Sequence, residues 1–120
     1  MDNYNFVRPE HLNHHGSLFG GQLLLWVDEF AWMAAAKDFP GYSFVTRAMD
    51  KIEFKNPVRS GSILRFHAEV SSKGTSSVTY LVQVYEDAKI CGKEILTFST
   101  SVTFVSIDDN GNKKNIESND

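Results

Sequence analysis

One stretch of the chain, residues 23–36, is apolar except at two positions. It reads LLLWVDEFAWMAAA, and its polar members are Asp28 and Glu29. Leucine, methionine and alanine favour helices, and the run contains neither glycine nor proline, so it predicts a helix. A double glycine at residues 20–21 opens this helix, and residues 39–41 close it. A helix that is apolar all round is expected to be buried all round, and this one is too short to cross a membrane.

Most of the remaining chain repeats with a period of two, which is typical of half-buried strands. The members of one face fall into four segments: Phe44, Thr46, Ala48, Ile52 and Phe54; Leu64, Phe66, Ala68 and Val70; Val78, Tyr80, Val82 and Val84; Leu96, Phe98, Val102 and Phe104. Short links at residues 56–61 and 72–75, and a longer one at 87–92, favour antiparallel neighbours.

These elements predict an α+β domain with one long buried helix wrapped by an antiparallel sheet of about five strands. The fifth strand is a short one near residues 3–7. We expect a single domain at residues 1–107, since 120 residues leave little room for a second. Residues 108–120 are polar and are expected to form a flexible tail.

The net charge and the cysteine content argue against several classes of function. The formal net charge is -3, whereas nucleic-acid-binding domains carry a basic surplus, so we expect no nucleic-acid partner. Cys91 is the one cysteine of the sequence, which excludes an intrachain disulfide and a thiolate metal cluster. Residues 1–5 lack the basic start and apolar core of a signal peptide. Together these features predict a cytoplasmic protein without a membrane partner.

Asp28 is the first candidate for chemistry because its helical neighbours three and four residues away are all apolar. A carboxylate on such a surface is costly to leave unpaired. It therefore serves either a structural contact, such as a pair with Arg47 or Lys51, or catalysis, and burial alone leaves these two explanations level. Glu29 points about 100° away round the helix and is expected to be partly exposed or structural.

The helix start is the second candidate. Glycines there let a ligand approach bare backbone N–H groups, and the helix dipole adds positive potential. Such a site suits a carbonyl oxygen that gains charge in a transition state. With Asp28 two turns further along, the two features could straddle an ester or thioester carbonyl. The alternative for residues 20–21 is close packing of the helix on the sheet.

Other chemistry-bearing residues are weaker candidates. His14 and His15 are adjacent on a loop, where side chains diverge, and their spacing supports no metal site, so no metal is expected. Cys91 has no evident activating base, which argues against a nucleophilic thiol. The sequence contains no Gly-x-Ser-x-Gly elbow, which argues against a serine hydrolase.

Read in order, these segments resemble the hotdog acyl-CoA thioesterases, in the branch of the YciA-like bacterial enzymes and the cytosolic acyl-CoA hydrolases. The family's opening pattern stands here as residues 13–21, NHHGSLFGG, followed by Asp28 in the helix. The family's next strand, its Pro-Val-x-x-Gly turn and its Gly-x-Thr/Ser-Ser hairpin are resembled by TRAMDKIEF at 46–54, NPVRSG at 56–61 and KGTSSV at 73–78. The resemblance covers residues 6–106.

The resemblance implies an acyl-CoA thioesterase that releases a fatty acid and CoA, with no cofactor beyond the CoA of its substrate. Asp28 would act as general base for water or as nucleophile, and Asn13 would orient the water or the thioester. The N–H of Gly21, together with that of Gly20, would hold the thioester oxygen. The family builds this site between two hotdog units. A homodimer is therefore expected, and a hexamer, a trimer of dimers, as the higher assembly.

The resemblance also implies contacts to CoA, from Arg59, Lys73, Gly74, Thr75, Ser76 and Thr46. Taken alone, Arg59 and Lys73 are equally well explained as solvated turn charges. An acyl slot near Trp26, Phe30 and Trp32 competes with a plain core role for these aromatic residues.

Two other functions stay open. One is a non-catalytic module that binds CoA or acyl-CoA. The other is a hotdog dehydratase or hydratase, with His15 before the helix and Asp28 as its acidic partner. Asn13 and Asp28 favour hydrolysis over binding alone, and the double glycine with the hairpin at 73–78 favours the thioesterase.

Overall fold

The computed structural model describes residues 1–88 and 92–117. Its elements, in chain order, are β1 Asp2–Phe6, α1 Gly20–Asp38, β2 Ser43–Phe54, β3 Ile63–Lys73, β4 Ser77–Ala88 and β5 Lys93–Ile107. A single 3₁₀ turn, Pro9–His11, follows β1. The strands form one antiparallel sheet in the order β1-β3-β4-β5-β2. The predicted α+β architecture of one helix and five strands is confirmed, while Cys91 lies outside the described residues.

The core lies between α1 and one face of the sheet. Alternate residues of β3, β4 and β5 are buried there, as the period-two pattern predicts: Leu64, Phe66 and Ala68; Val78, Tyr80, Val82 and Val84; Phe98, Val102 and Phe104. The prediction is wrong for Val70, which is 44% exposed, and for Leu96, which a register shift places opposite Tyr85 and leaves half-buried. Complete burial of a large apolar side chain contributes roughly 1.5–3 kcal/mol, so these layers account for much of the stability of the fold.

Strand β2 departs from the predicted alternation. Its pairing with β5 shifts register twice, between Thr46 and Ala48 and between Asp50 and Glu53. Residues that pair directly share a face of the sheet, so each shift moves the following side chains to the other face. Met49, opposite the buried Val102, consequently packs against the core in place of Ala48.

Helix α1 is buried on one side only within the protomer. Its core face comprises Leu23, Val27, Phe30, Ala31, Ala34 and Ala35. Leu25, Trp32 and Met33 are exposed on the other side, Leu25 by 52%. The prediction of burial all round is therefore wrong for an isolated protomer, because one sheet covers only one side of a helix. The uncovered side is an apolar surface that a partner could bury.

Residues 108–117, here named the C-terminal strap, pack against the domain and differ in this from the expected frayed tail. Ile116 is only 5% exposed and belongs to the core cluster. Its N–H donates to the Thr75 carbonyl at 2.8 Å, and the Lys114 N–H donates to the Ser106 carbonyl at 2.9 Å. The polar composition of the strap hides this one apolar anchor, which explains why the sequence pattern misses it.

His67 has a partner that the sequence does not reveal. It lies on the outer face of the sheet, where its Nδ1 is 2.6 Å from Asp2 Oδ1. Beside it, Arg65 forms two hydrogen bonds with the Glu94 carboxylate at 2.8 and 2.9 Å. The bonds from His67 and Arg65 hold the pKa values of Asp2 and Glu94, respectively, below their usual range. These contacts join β1 and β5 to β3 and take no part in the candidate site.

We expect Tyr80→Phe to lower the free energy of unfolding by about 1–2 kcal/mol, because hydrogen bonds to charged groups are among the stronger ones. The buried Tyr80 hydroxyl donates to Asp38 Oδ2 at 2.7 Å and ties the end of α1 to β4. Urea unfolding measures the effect. Tyr85→Phe is the matched control, since the Tyr85 hydroxyl bonds only Gln83, at 3.2 Å, among the described residues.

The same contact predicts a pH dependence. Burial, and then Asp38, raise the pKa of Tyr80. In the unfolded chain a tyrosine ionises near pH 10. The contribution of Tyr80 to stability is therefore complete below about pH 10 and is lost as the pH rises further, because the unfolded state releases the proton first. A Tyr80→Phe protein that loses as much stability between pH 9 and 11 as the wild type would contradict this assignment.

Candidate active site

Asp28 lies on the side of α1 that faces β2. The Thr46 hydroxyl donates to Asp28 Oδ1 at 2.7 Å, and Oδ2 bonds no described residue. Neither Arg47 nor Lys51 pairs with this carboxylate, although both are fully described. The structural ion pair that the sequence left open is therefore absent from the described part of the chain. One carboxylate oxygen is held in place and the other is available.

A depression of about 350 Å³ opens beside this carboxylate. Its walls are Asp28, Glu29, Trp32, Met33 and Thr46. The spacing of the four helical residues, in pairs four apart, is that of one helix face, and this signal could have identified Glu29 and Met33 from the sequence. The depression combines an apolar wall with a positioned carboxylate, a combination typical of small-molecule sites.

Of the three aromatic residues considered for an acyl slot, only Trp32 lines this depression. Its indole N–H donates to the Phe44 carbonyl at 3.1 Å, which fixes the ring against β2. Phe30 is 2% exposed and belongs to the core. Trp26 is half-buried, packs edge-on against His11, and lines a second depression of about 230 Å³ on the β1 side of the helix.

The start of α1 presents unpaired backbone donors. The first helical hydrogen bond runs from the Leu23 N–H to the Phe19 carbonyl, at 3.1 Å. The N–H groups of Gly20, Gly21 and Gln22 bond no described residue, and no side chain caps them. The first turn also lacks an acidic residue, so the positive end of the helix dipole is available to a carbonyl oxygen.

Aromatic rings approach both glycines closely. A Cβ added to Gly20 would lie 3.4 Å from the Phe54 ring, and one added to Gly21 would lie 2.7 Å from the Phe19 ring. Close packing of the helix on the sheet, the alternative explanation for the double glycine, is therefore not required at either position, because 3.4 Å is an ordinary contact and the Phe19 ring belongs to the loop before the helix. The donor role is compatible with this geometry, because the absence of side chains exposes the backbone N–H groups.

A single protomer does not bring the helix start and Asp28 together. At about 1.5 Å of rise per residue, Gly21 and Asp28 are on the order of 10 Å apart along α1. An oxyanion donor and a base that serve one carbonyl must both lie about 3 Å from the reacting atoms. The idea that both features of one helix straddle the same thioester is thus wrong.

Asn13 organises the loop before the helix. Its Oδ1 accepts hydrogen bonds from the backbone N–H groups of His15, at 2.9 Å, and Ser17, at 3.2 Å. Its Nδ2 bonds no described residue, and Asn13 does not line the Asp28 depression. The exposed rings of His14 and His15 lie against each other, with centroids 3.9 Å apart, so the expectation that they diverge is wrong. Within residues 1–88 and 92–117, no group of His, Cys, Asp and Glu has a geometry that could hold a metal ion.

The two predicted CoA-binding turns lie at opposite ends of β3. Arg59 precedes this strand and Lys73 ends it, and its 11 residues span on the order of 35 Å. The Arg59 side chain is exposed and makes no ion pair within the described ranges, and its backbone pairs with Ser17 of the Asn13 loop. Arg59 and Lys73 of one protomer therefore cannot bind the same phosphate group.

The turn at residues 73–76 contains hydrogen-bond donors that no described residue uses. Lys73 Nζ donates to the Ile116 carbonyl at 3.0 Å, which uses one of its three N–H bonds. The Gly74 N–H donates to the Ser77 carbonyl, while the N–H groups of Thr75 and Ser76 have no partner among the described residues.

The family of this chain follows from a sequence comparison. The model of the thioesterase superfamily matches residues 15–93, well over half of the chain. The chain belongs to the thioesterase superfamily. The match includes the helix start, Asp28, strands β2 to β4 and both predicted CoA-binding turns, so it confirms the resemblance seen in the motifs. Strand β1, Asn13 and nearly all of β5 lie outside it.

Curated thioesterase-superfamily relatives carry acyl-CoA names. An uncharacterised acyl-CoA thioester hydrolase of Bacillus subtilis is 32% identical over 88% of this chain. The mouse acetyl-coenzyme A thioesterase is 35% identical over 83% of it. The chain spans 60% of the Bacillus relative and 18% of the mouse relative.

Solved thioesterase structures share the fold. An acyl-CoA hydrolase from Staphylococcus aureus, solved with butyryl-CoA and CoA, is 35% identical, with a TM-score of 0.90 over 100% of this chain and 75% of its own. A hexameric hotdog-fold thioesterase from Campylobacter jejuni is 31% identical, with a TM-score of 0.85 over 96% of this chain and 88% of its own. The hotdog fold is thereby confirmed. No described helix is long and apolar enough to cross a membrane.

Proposed function

We propose that the protein is an acyl-CoA thioesterase that hydrolyses the thioester to a carboxylic acid and CoA. The observation that carries the proposal is Asp28, held by Thr46 at one oxygen and open to a depression at the other. A carboxylate in that state is able to accept a proton or attack a carbonyl carbon. The reaction needs water and the acyl-CoA and no further cofactor.

The related Staphylococcus aureus enzyme supports this choice of residues. Its solved forms include alanine variants of an asparagine, an aspartate and a threonine. In that enzyme the spacing from the asparagine to the aspartate equals the spacing from Asn13 to Asp28. The spacing from its aspartate to its threonine is one residue shorter than the spacing from Asp28 to Thr46. The order and spacing of the residues replaced in that enzyme support Asn13, Asp28 and Thr46 as their counterparts.

Asp28 works on the carbonyl carbon in one of two ways. As general base it takes a proton from a water that attacks the thioester, and as nucleophile it forms a mixed anhydride that water then hydrolyses. In both routes the carbonyl oxygen gains negative charge. The unpaired N–H groups of Gly20 and Gly21 at the positive end of a helix are suited to stabilise that charge.

The donors come from a second protomer in this proposal. Strand β2 is an edge strand, and Val45, Ile52 and Phe54 are exposed along it. A two-fold axis that pairs two β2 edges continues the sheet and lays two α1 helices side by side in opposite directions. The Asp28 region of one helix then approaches the start of the other.

That arrangement explains three otherwise separate observations. It covers the exposed side of α1, supplies Asp28 with an oxyanion site that its own helix holds about 10 Å away, and brings Asn13 of the second chain toward the depression. The homodimer is therefore the functional unit, with Asn13 and Asp28 contributed from opposite sides. A trimer of such dimers is the higher assembly we propose, in line with the hexameric state named for the Campylobacter relative.

CoA is recognised in the proposal by cations and backbone donors. The guanidinium of Arg59, beside the Asn13 loop, and the ammonium of Lys73, with the free N–H groups of Thr75 and Ser76, are suited to phosphate. Since one protomer separates these turns by the length of β3, each CoA takes contacts from more than one chain. Thr46 lies on β2, along which the pantetheine arm runs.

Thr46→Val should lower kcat for butyryl-CoA by about tenfold with little change in KM, because the variant loses the hydroxyl that orients Asp28 in the transition state. The side chain keeps its volume, so the fold is retained. Thr46→Ser keeps the hydroxyl and serves as the control, with kcat close to that of the wild type. A loss of the same size in both variants would show that the methyl group, and not the hydrogen bond, matters.

The test of the proposed function is product analysis. Purified protein is incubated with saturated acyl-CoAs of increasing chain length and with an enoyl-CoA, and free thiol and acyl products are followed. We expect free CoA and the carboxylic acid. Hydration of the enoyl-CoA without thiol release would identify a hydratase, and calorimetric binding of every acyl-CoA without turnover would identify a binding module.

A further inference from the structure

The C-terminal strap lies across the turn at residues 73–76, the proposed phosphate site. Two hydrogen bonds join them directly, and burial of one strap side chain anchors them. The Ile116 N–H donates to the Thr75 carbonyl at 2.8 Å, Lys73 Nζ donates to the Ile116 carbonyl at 3.0 Å, and the Ile116 side chain is buried in the core. Ile116 thus holds both the backbone and the cation of the turn.

These contacts divide the turn into two sides. The carbonyl groups of Thr75 and Ser76 accept from the N–H groups of Ile116 and Ser106, each at 2.8 Å. The N–H groups of Thr75 and Ser76 themselves bond no described residue. The strap and β5 therefore satisfy the carbonyl groups of Thr75 and Ser76, whereas the N–H groups of these two residues are without a partner in the described part of the chain. Two unpaired N–H groups beside an ammonium suit an anion, and a carbonyl group in the same place would repel it.

The position of Ile116 is fixed by its own burial and by contacts that adjacent residues of the strap make. Its burial removes the side chain from water, and the next residue, Glu117, donates its N–H to the Tyr42 hydroxyl at 2.9 Å. Lys114 Nζ lies 5.2 Å from the centroid of the same Tyr42 ring. The strap is thus fixed on both sides of Ile116 to the segment that follows α1.

We propose that Ile116 is a positioning residue for recognition of a phosphate group of the substrate. It does not touch the phosphate. It fixes the Lys73 ammonium and, through its bond to the Thr75 carbonyl, holds the Thr75–Ser76 peptide group so that the Ser76 N–H faces the ligand. This inference rests on the proposed function, since it assigns a role to the strap in holding the nucleotide part of CoA.

The test compares two thioesters that differ only in the nucleotide. For Ile116→Ala we expect KM for butyryl-CoA to rise about tenfold with kcat within about twofold, because binding energy is lost equally from ground and transition states. For butyryl-pantetheine, which lacks the nucleotide, kcat/KM should change by less than about twofold. Titration calorimetry with free CoA and with pantetheine should show the same difference in dissociation constant, without turnover.

Two further variants complete the design. Ile116→Val, which removes a single methylene group, should shift KM for butyryl-CoA by about two- to threefold and leave butyryl-pantetheine unaffected. It serves as the test variant if Ile116→Ala does not fold. Val82→Ala creates a cavity in the centre of the sheet, away from the turn, and should not separate the two substrates.

Equal losses with butyryl-CoA and butyryl-pantetheine, or no loss with either, would overturn the role of Ile116. The proposed function is tested apart from it by the wild-type protein. If the wild type hydrolyses neither substrate, the thioesterase proposal fails, and the calorimetric comparison of CoA with pantetheine still decides the role of Ile116.

Discussion

Replacing Asp28 with asparagine should lower kcat for butyryl-CoA by about a thousandfold, within the range that general acid–base groups contribute. Asparagine keeps the size of the side chain, and its carbonyl oxygen still accepts the Thr46 hydroxyl. The amide can neither take a proton from water nor attack a thioester. The expected result is therefore an intact fold with unchanged assembly and almost no turnover, measured by thiol release and by circular dichroism.

The control for the Asp28→Asn variant is the same substitution at another carboxylate, Asp50 on β2. Asp50 is exposed on β2 and pairs with Ser101 on the outer face of the sheet. Asp50→Asn changes the net charge by the same amount as Asp28→Asn and should leave kcat within about twofold, because it lies away from the developing charge. A fully active Asp28→Asn protein would remove Asp28 from the mechanism.

Mixing two inactive variants should restore activity. We expect Asn13→Ala and Asp28→Ala each to be nearly inactive alone. Random exchange of the two gives about one half mixed dimers, and each mixed dimer holds one intact site if Asn13 and Asp28 act across the two-fold interface. The predicted activity is then about a quarter of the wild type at the same protein concentration.

The outcome separates two site architectures. If Asn13 and Asp28 of one chain served the same site, every site in a mixed dimer would lack one of them, and mixing would restore nothing. Subunit exchange is promoted by mild urea and checked with differently tagged chains. Each variant refolded alone is the control, and recovery of activity in either would show that the treatment itself causes the gain.

Patterning predicts the fold well where one rule governs a whole segment. In the central parts of β3, β4 and β5 the apolar residues follow one sheet surface, so alternation finds them, and it fails only near strand ends, at Val70 and Leu96. In β2 the predicted alternation fails after Thr46, because a register shift changes which side chains face the core. Such a shift cannot be recognised from the composition of the strand. The strap is missed for a related reason, since a single buried isoleucine among polar residues has no period.

The sequence predicted which residues form the candidate site, but it did not predict how far apart they lie. Asp28 and the double glycine are visible because a carboxylate in an apolar helix and glycines at its start are both unusual. Their placement about 10 Å apart on one helix follows from helical rise, and in the proposed dimer a second copy of the chain removes the mismatch. The separation of Arg59 and Lys73 follows from the length of β3, whereas distances across strands and subunits do not follow from spacing in sequence.

The most direct measurement is the number of CoA molecules released from butyryl-CoA by each wild-type protomer, with the acid product identified. The proposal predicts repeated turnover, with one butyrate formed for each CoA. Stoichiometric binding of butyryl-CoA without release, or release without butyrate, would contradict it.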